Sequence, residues 1–358
     1  MAIERVEKTL EDINGSMCRH PIPLQSGPWL TVWIYTKVLP AAMIIEAHHR
    51  AIFDMRIFLS GATGVIGIRA IPLLMREGHQ VTAAVRTPEK ARRVEALRAT
   101  PLQIDLFDAS AVRSAIRGHD VVINLATSIP PSSRAILPWA WKENSRVRRE
   151  VSRNLAQAAL AEGVSRFVQE SFAPIYADAD DQWITERFAV KPAAYNRAVL
   201  DAESAATGFA ATQGSGAAGV VLRFALFYGP DSDFLQDMAR AARKGIAMAM
   251  GRADGYMSLI SHDDAASAVV AALNAPSGIY NIVDDEPLTR REFYDALAHV
   301  IGAPPPRFPP SFLWRLFGSI GETLARSQRI SNAKFKSVTS WKPSYPSARE
   351  GLAAALSS

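Results

Sequence analysis

From Met55 onward, short apolar runs alternate with stretches of helical period, and this alternation predicts strands of a parallel sheet joined by crossover helices. The apolar runs place strands at 56–60, 80–85, 102–105, 120–125, 166–170, 220–224 and 278–283. Between them the spacing predicts helices over 65–77, 88–97, 109–116 and 148–162, the last ending at Gly163 as a helix C-cap. The run between Asp120 and Asn124 is entirely apolar, which suits a strand covered on both faces. The fold class read from this pattern is α/β, a doubly wound parallel sheet.

Two parts of the chain break the alternation. Residues 229–257 and 286–358 carry amphipathic helices and proline-rich turns, so they are assigned to a smaller lobe over the carboxyl edge of the sheet, while 55–228 and 258–285 form the main domain. Residues 1–54 show no clear period and no motif. Because MRIFLSG beginning at Met55 is a natural protein start, they read as an appendage or as an upstream mis-assigned start.

Composition narrows the class further. With 48% apolar and 21% charged residues the chain is globular rather than disordered, and its 358 residues suffice for a large core. A formal charge of +5 is modest, and the run Arg146, Arg148, Arg149, Arg153 reads as a solvated helix face, which argues against a nucleic-acid partner. Cys18 is the single cysteine, so an internal disulfide is excluded and a reducing, cytoplasmic setting is expected. The stretch 29–47 contains Lys37, Pro40 and Glu46, which makes it a poor membrane span.

The first candidate chemistry follows the first strand. Gly61, Ala62, Thr63, Gly64, Val65, Ile66 and Gly67 form a loop whose missing side chains let the backbone turn tightly and approach a pyrophosphate at a helix amino terminus. The spacing is GxxGxxG, and its position between an apolar strand and a helix is what makes it informative. Sites selective for NAD place a carboxylate about 20 residues further on. Here the second strand ends on Val85 and Arg86, and a guanidinium there suits the 2′-phosphate of NADP, so NADP is the expected cofactor, with NAD as the alternative.

These motifs together resemble the extended short-chain dehydrogenase/reductase family, in its NAD-dependent epimerase/dehydratase branch, from Met55 nearly to the end. GATGVIG at 61–67 resembles the family's nucleotide loop, LRFALFYGP at 222–230 its turn into the substrate lobe, and SHDDAASAV at 261–269 and IYNIVDDEPLT at 279–289 its later elements. The resemblance implies a Rossmann-type fold, with Asp105 and Leu106 beside the adenine and Leu125, Ala126 and Thr127 along the cofactor.

The family's acid/base set is a Tyr with Lys four residues later, assisted by a Ser or Thr. In this chain none of the eight tyrosines has a lysine at that spacing, and Tyr195 is followed by Val199. Phe172 stands four residues before Tyr176, with Ser171 one place off the family position. Tyr195, read on a helix, and Ser171 are the candidate catalytic residues. Lys191 and Arg197 are weighed as substitutes for the missing cation, and each is disfavoured by its position.

His262, Asp263 and Asp264 read as a helix cap rather than a metal site, and no metal is expected. The function implied is an NAD(P)-dependent oxidoreductase or epimerase-like enzyme acting on a hydroxyl or carbonyl of a small molecule, with nucleotide sugars the family's commonest substrates. The alternative is a non-catalytic NADP(H)-binding sensor or structural protein. A monomer or a homodimer is expected, without membrane or nucleic-acid partners.

Overall fold

The computed structural model describes residues 54–213 and 216–356, so the predicted extension lies outside the described residues except for Asp54. Seven strands pair in parallel: β1 (Arg56–Ser60), β2 (Gln80–Val85), β3 (Thr100–Gln103), β4 (Val121–Asn124), β5 (Arg166–Phe172), β6 (Ala218–Phe224) and β7 (Gly278–Ile282). Their order is β7-β6-β5-β4-β1-β2-β3. The chain therefore reverses direction across the sheet between β1 and β4, which opens a crevice at their carboxyl ends.

Helices cover both faces. Ile57 and Leu59 of β1 point to one side, into a core shared with α1 (Gly67–Arg76) and α8 (His262–Ala271). Phe58 points to the other, into a core with α3 (Ala109–Ile116), α5 (Ser152–Ala161) and α6 (Val199–Gln213). All three β1 side chains are fully buried, each contributing about 1.5–3 kcal/mol by leaving water. Between these elements lie α2 (Pro88–Glu95) and α4 (Lys142–Arg146). A third apolar cluster joins α7 (Asp233–Arg243), α9 (Arg290–Val300) and α12 (Ala348–Leu356) through Leu235, Phe293, Leu297 and Leu352. Two shorter helices, α10 (Gly318–Ala325) and α11 (Ala333–Val338), precede α12. Ile330, Phe335 and Trp341 pack on the first core rather than the third.

Several boundaries differ from the sequence expectation for identifiable reasons. β3 begins two residues before the predicted 102–105 and contains Pro101; it is an edge strand, where a missing N–H costs no ladder bond. The helix predicted over 148–162 starts earlier, with the polar residues of α4, and passes through a π turn at Val147–Val151 before α5. β5 and β6 each extend two residues beyond their predicted limits.

A buried polar ladder ties the carboxyl ends of the central strands. Ser60 Oγ donates to Asn124 Oδ1 at 2.6 Å, and Asn124 Nδ2 donates to Gln169 Oε1 at 2.9 Å and Ser152 Oγ at 3.1 Å. Asn124 Oδ1 also receives the Ala126 amide at 3.1 Å, which fixes the turn after β4.

Candidate functional site

A cavity of about 430 Å³ occupies the crevice, lined by the glycine loop after β1, by Leu125 and Thr127 after β4, and by Glu170 and Phe172 of β5. It continues over an apolar stretch that includes Phe227, Phe234, Met238, Met248 and Met257.

The three glycines of the loop have different jobs. Gly61 sits at φ +74°, and a Cβ there would stand 2.4 Å from the Leu125 carbonyl carbon and oxygen, so the turn admits no side chain. A Cβ on Gly67 would meet the Gly61 carbonyl oxygen at 2.3 Å, so this glycine lets the start of α1 lie against the strand. Gly64 is different: its nearest neighbour is the Gly61 oxygen at 3.3 Å, and the residue is exposed. No packing contact explains the absence of a side chain there.

Capping points the same way. Thr87, Asp108, Ser232, Ser261 and Thr289 each cap the helix they precede with a side-chain oxygen. At α1 the cap position is Ile66, which offers none. Among the described residues the amides of Val65 and Ile66 donate to no protein acceptor, so an anion at this helix start would meet free N–H groups. This cradle fits a dinucleotide pyrophosphate.

Of the predicted cofactor residues, Gly61, Gly64, Val65, Ile66, Gly67, Leu125 and Thr127 line the cavity together, whereas Thr63 and Ala126 adjoin it through their chain neighbours. Arg86 follows β2 with an exposed side chain that meets no hydrogen-bond or ion-pair partner among the described residues. Asp105 and Leu106 follow β3; Asp105 Oδ1 receives the Phe107 amide at 3.0 Å. The ends of β1, β2 and β3 thus present these residues along one edge of the sheet.

The predicted catalytic pair is not brought together. Ser171 is fully buried and lies outside the cavity lining; its Oγ donates to Glu203 Oε1 at 2.5 Å. Glu203 also takes two hydrogen bonds of 2.7 Å from Arg223, which in turn donates to the Tyr176 hydroxyl at 2.8 Å. Alternation along β5 sends Ser171 away from the cavity and Phe172 toward it. The position that carries a hydroxyl in the family therefore presents an aromatic ring.

Tyr195 does line the cavity, but in a run of turns preceding α6 rather than on a helix, which begins at Val199. It packs with Ala193 and Ile320 and against Trp141, with ring centroids 4.8 Å apart. Burial pushes its phenol up to about 12, a rise tempered by Thr323, Arg326 and Asn196. A proton-exchanging tyrosine needs the opposite shift. Neither weighed cation repairs this: Lys191 pairs with Glu322 at 2.9 Å and Arg197 is exposed, both outside the cavity.

Sequence reasoning missed the charged pair at this end. Arg146, Arg149 and Arg153 are exposed, as a solvated face requires, whereas Arg148 is buried. The π turn sets it on the cavity wall one turn beyond Asn144, where its Nη2 donates to Glu170 Oε1 at 2.9 Å. Burial raises the Glu170 carboxyl above the ordinary carboxylate range, against the opposing pull of Arg148. Arg290 also lines the cavity and is held by the carbonyls of Arg252, Leu324 and Arg326, its guanidinium lowered to about 10 by burial.

The predicted cap at 262–264 is organised by Ser261, which receives the Asp264 amide at 3.0 Å, while His262 Nδ1 lies 2.8 Å from Asp231 Oδ1. Among the described residues no helix is long and apolar enough to cross a membrane.

A switch-point crevice, an uncapped helix start and a glycine that leaves its backbone bare define a dinucleotide-binding protein. A family model described as NAD(P)H-binding matches residues 61–276. A 3-diazoavenalumate denitrifying reductase of a Streptomyces species is 32% identical over 322 residues, covering 83% of this chain and 99% of that protein. Human epimerase family protein SDR39U1, solved with NADPH, superposes with a TM-score of 0.67 at 20% identity over 84% of this chain and 97% of its own. UDP-glucose 4-epimerase of Thermus thermophilus, solved with NAD, gives 0.66 at 23% over the same shares. The chain belongs to the NAD(P)H-binding family, and it shares the fold of these epimerase structures.

Proposed function

We propose that the protein is an NADP(H)-dependent reductase of a planar, apolar organic molecule, working without the family's Tyr–Lys pair. The observation that carries this reading is one cavity that joins the glycine cradle to a methionine- and aromatic-lined cleft. Gly61, Thr63, Gly64, Val65, Ile66 and Gly67 hold the pyrophosphate, Leu125, Ala126 and Thr127 flank the nicotinamide half, and Asp105 and Leu106 flank the adenine. Arg86, exposed and without a hydrogen-bond or ion-pair partner among the described residues, meets the 2′-phosphate and selects NADP over NAD. The bound dinucleotide supplies the hydride. Residues 229–257 and 286–358 supply the apolar side of the cleft as a substrate lobe, and the setting is cytoplasmic.

The lining supports the reductase side of the family over its nucleotide-sugar epimerases. A second diphosphate needs uncompensated positive charge and free donors, yet Arg148 is ion-paired with Glu170 and Arg290 is spent on main-chain carbonyls. The Streptomyces relative's name describes reductive loss of nitrogen from a diazo compound. Hydride addition to an arene diazonium expels dinitrogen and asks for no proton at an oxygen, so such an acceptor dispenses with Tyr and Lys. The sensor reading rests on the same missing pair, but it leaves the apolar cleft without a purpose.

The test is NADPH oxidation followed by absorbance with neutral aromatic carbonyls and arene diazonium salts. Turnover with members of this panel supports the proposal. NADPH binding with no oxidation across the whole panel favours the non-catalytic reading.

A further inference from the structure

Among the described residues, three charged or amide side chains of the cavity lining are left with unused hydrogen-bonding atoms; the Tyr294 hydroxyl, on a ring packed against Phe293 and Phe308, is a fourth polar group in that state. Arg148, Glu170 and Asn196 expose only 4%, 6% and 4% of their surface, and all three line the cavity. Arg148 spends Nη2 on Glu170, which leaves its Nε and Nη1 without partners, and Glu170 Oε2 has none. Both amide atoms of Asn196 are likewise unpartnered; the side chain stands beside the Tyr195 hydroxyl without forming a proper hydrogen bond to it. Buried polar atoms left in this state are costly, and their meeting on one cavity marks a place where something else completes them.

The unused atoms define their complement. Glu170 Oε2 and Asn196 Oδ1 need a donor; Asn196 Nδ2 and the Arg148 N–H groups need an acceptor. Arg148 and Glu170 cancel in charge, so an anionic ligand would meet Glu170 uncompensated, and a cationic one Arg148. A neutral hydroxyl both donates and accepts. Trp141, Phe172 and Tyr195 line the same cavity, and their rings favour a flat ring as the carrier of that hydroxyl.

We propose that Arg148, Glu170 and Asn196 form a specificity site for the hydroxyl of a neutral phenol-type arene, which donates to Glu170 and accepts from Asn196. The proposal rests on the reductase reading above and deepens it by naming the substrate's polar handle. Arg148 is a positioning residue that holds the Glu170 carboxylate in place.

The test is calorimetric titration of the NADPH-loaded protein with 2-naphthol, 2-methoxynaphthalene and 2-naphthoate. In the wild type 2-naphthol binds about tenfold or more tighter than either analogue, since methylation removes the donor and the carboxylate adds a charge. Glu170→Gln leaves Arg148 uncompensated, so the preference turns toward 2-naphthoate. Asn196→Ala, which removes amide atoms left unsatisfied in the fold, reduces the naphthol advantage while NADPH binding persists.

Equal affinity for the three ligands in the wild type overturns the proposal, as does a naphthol preference that survives in Asn196→Ala and, where that variant folds, in Glu170→Gln. NADPH binding, measured first on every sample, separates the outcomes. Its absence defeats the cofactor reading, whereas its presence with indifferent naphthol binding defeats only the hydroxyl site.

Discussion

At the glycine end of the cavity the working groups are main chain, gathered within the seven consecutive residues 61–67, whereas the opposite end is built from side chains of α4, the π turn, β5, the 194–198 turn and α9. The first end is defined by what is missing: a Cβ at Gly61 or Gly67 would strike backbone, and one at Gly64 would meet only the Gly61 oxygen, at 3.3 Å. The second is defined by what converges. A backbone cradle survives any change in the chemistry performed beside it, while a side-chain constellation is rebuilt whenever that chemistry changes. One fold can therefore keep a dinucleotide cradle while the side chains facing it change.

The contrast is broken or sharpened first by the glycines. Gly67→Ala should destabilise the fold by about 3 kcal/mol, because backbone on both sides must move, whereas Gly64→Ala should stay within about 0.5 kcal/mol of the wild type. Denaturant melts read the first effect. NADPH titration of Gly64→Ala, expected to weaken binding about tenfold or more, reads the second. Equal stability losses in the two variants would erase the distinction between a packing glycine and a ligand glycine.

Next comes the side-chain end. Ser171→Ala should cost roughly 1–3 kcal/mol of stability by leaving Glu203 short of a donor, and leave turnover per folded molecule little changed. Tyr195→Phe should retain most of the turnover, since a phenol pushed up to about 12 with no lysine beside it exchanges no proton at neutral pH. Loss of activity in Tyr195→Phe with NADPH affinity intact would return the tyrosine to the mechanism.

Arg86→Ala should weaken NADPH about tenfold while barely changing NADH, through loss of a charge-assisted contact. Parallel losses for both coenzymes would move the 2′-phosphate elsewhere.

The smallest effect concerns pH. His119 accepts from Thr82 through Nε2 at 2.9 Å and donates to the Ile116 carbonyl through Nδ1 at 3.1 Å, and burial lowers it below its ordinary 6.5. The unfolded chain then takes up this proton first as pH falls, so the neutral imidazole's contribution is present above about 6.5 and lost below it. The stability gap between wild type and His119→Gln should narrow between pH 7.5 and 5.5, as thermal melts would show. A constant gap would mean that His119 titrates alike in both states.

Much of this was legible before the fold. All seven strands of the sheet were, the buried central ones as largely apolar runs and the half-exposed edge strand β3 only to within two residues, and so was the cradle, because glycines at fixed spacing after a strand carry their own geometry. The break in the acid/base motif could be read as well, Phe172 included. The buried charged pair could not. Arg148 lies among exposed arginines, and only the π turn and the packing of β5 against it put that one inside, beside a glutamate 22 positions away. Ser171 failed for a related reason: period-two alternation decides which of two neighbours faces the cavity, and a one-residue offset reverses the answer.

Calorimetric titration of the wild-type protein with NADPH, repeated with Gly64→Ala, is the most direct test of the central claim that main-chain groups at residues 61–67 hold a dinucleotide. One-to-one binding at about micromolar affinity or tighter, weakened in a variant that melts like the wild type, is the predicted result. Absence of any heat up to about millimolar coenzyme, or binding indifferent to a methyl group at residue 64, would contradict it.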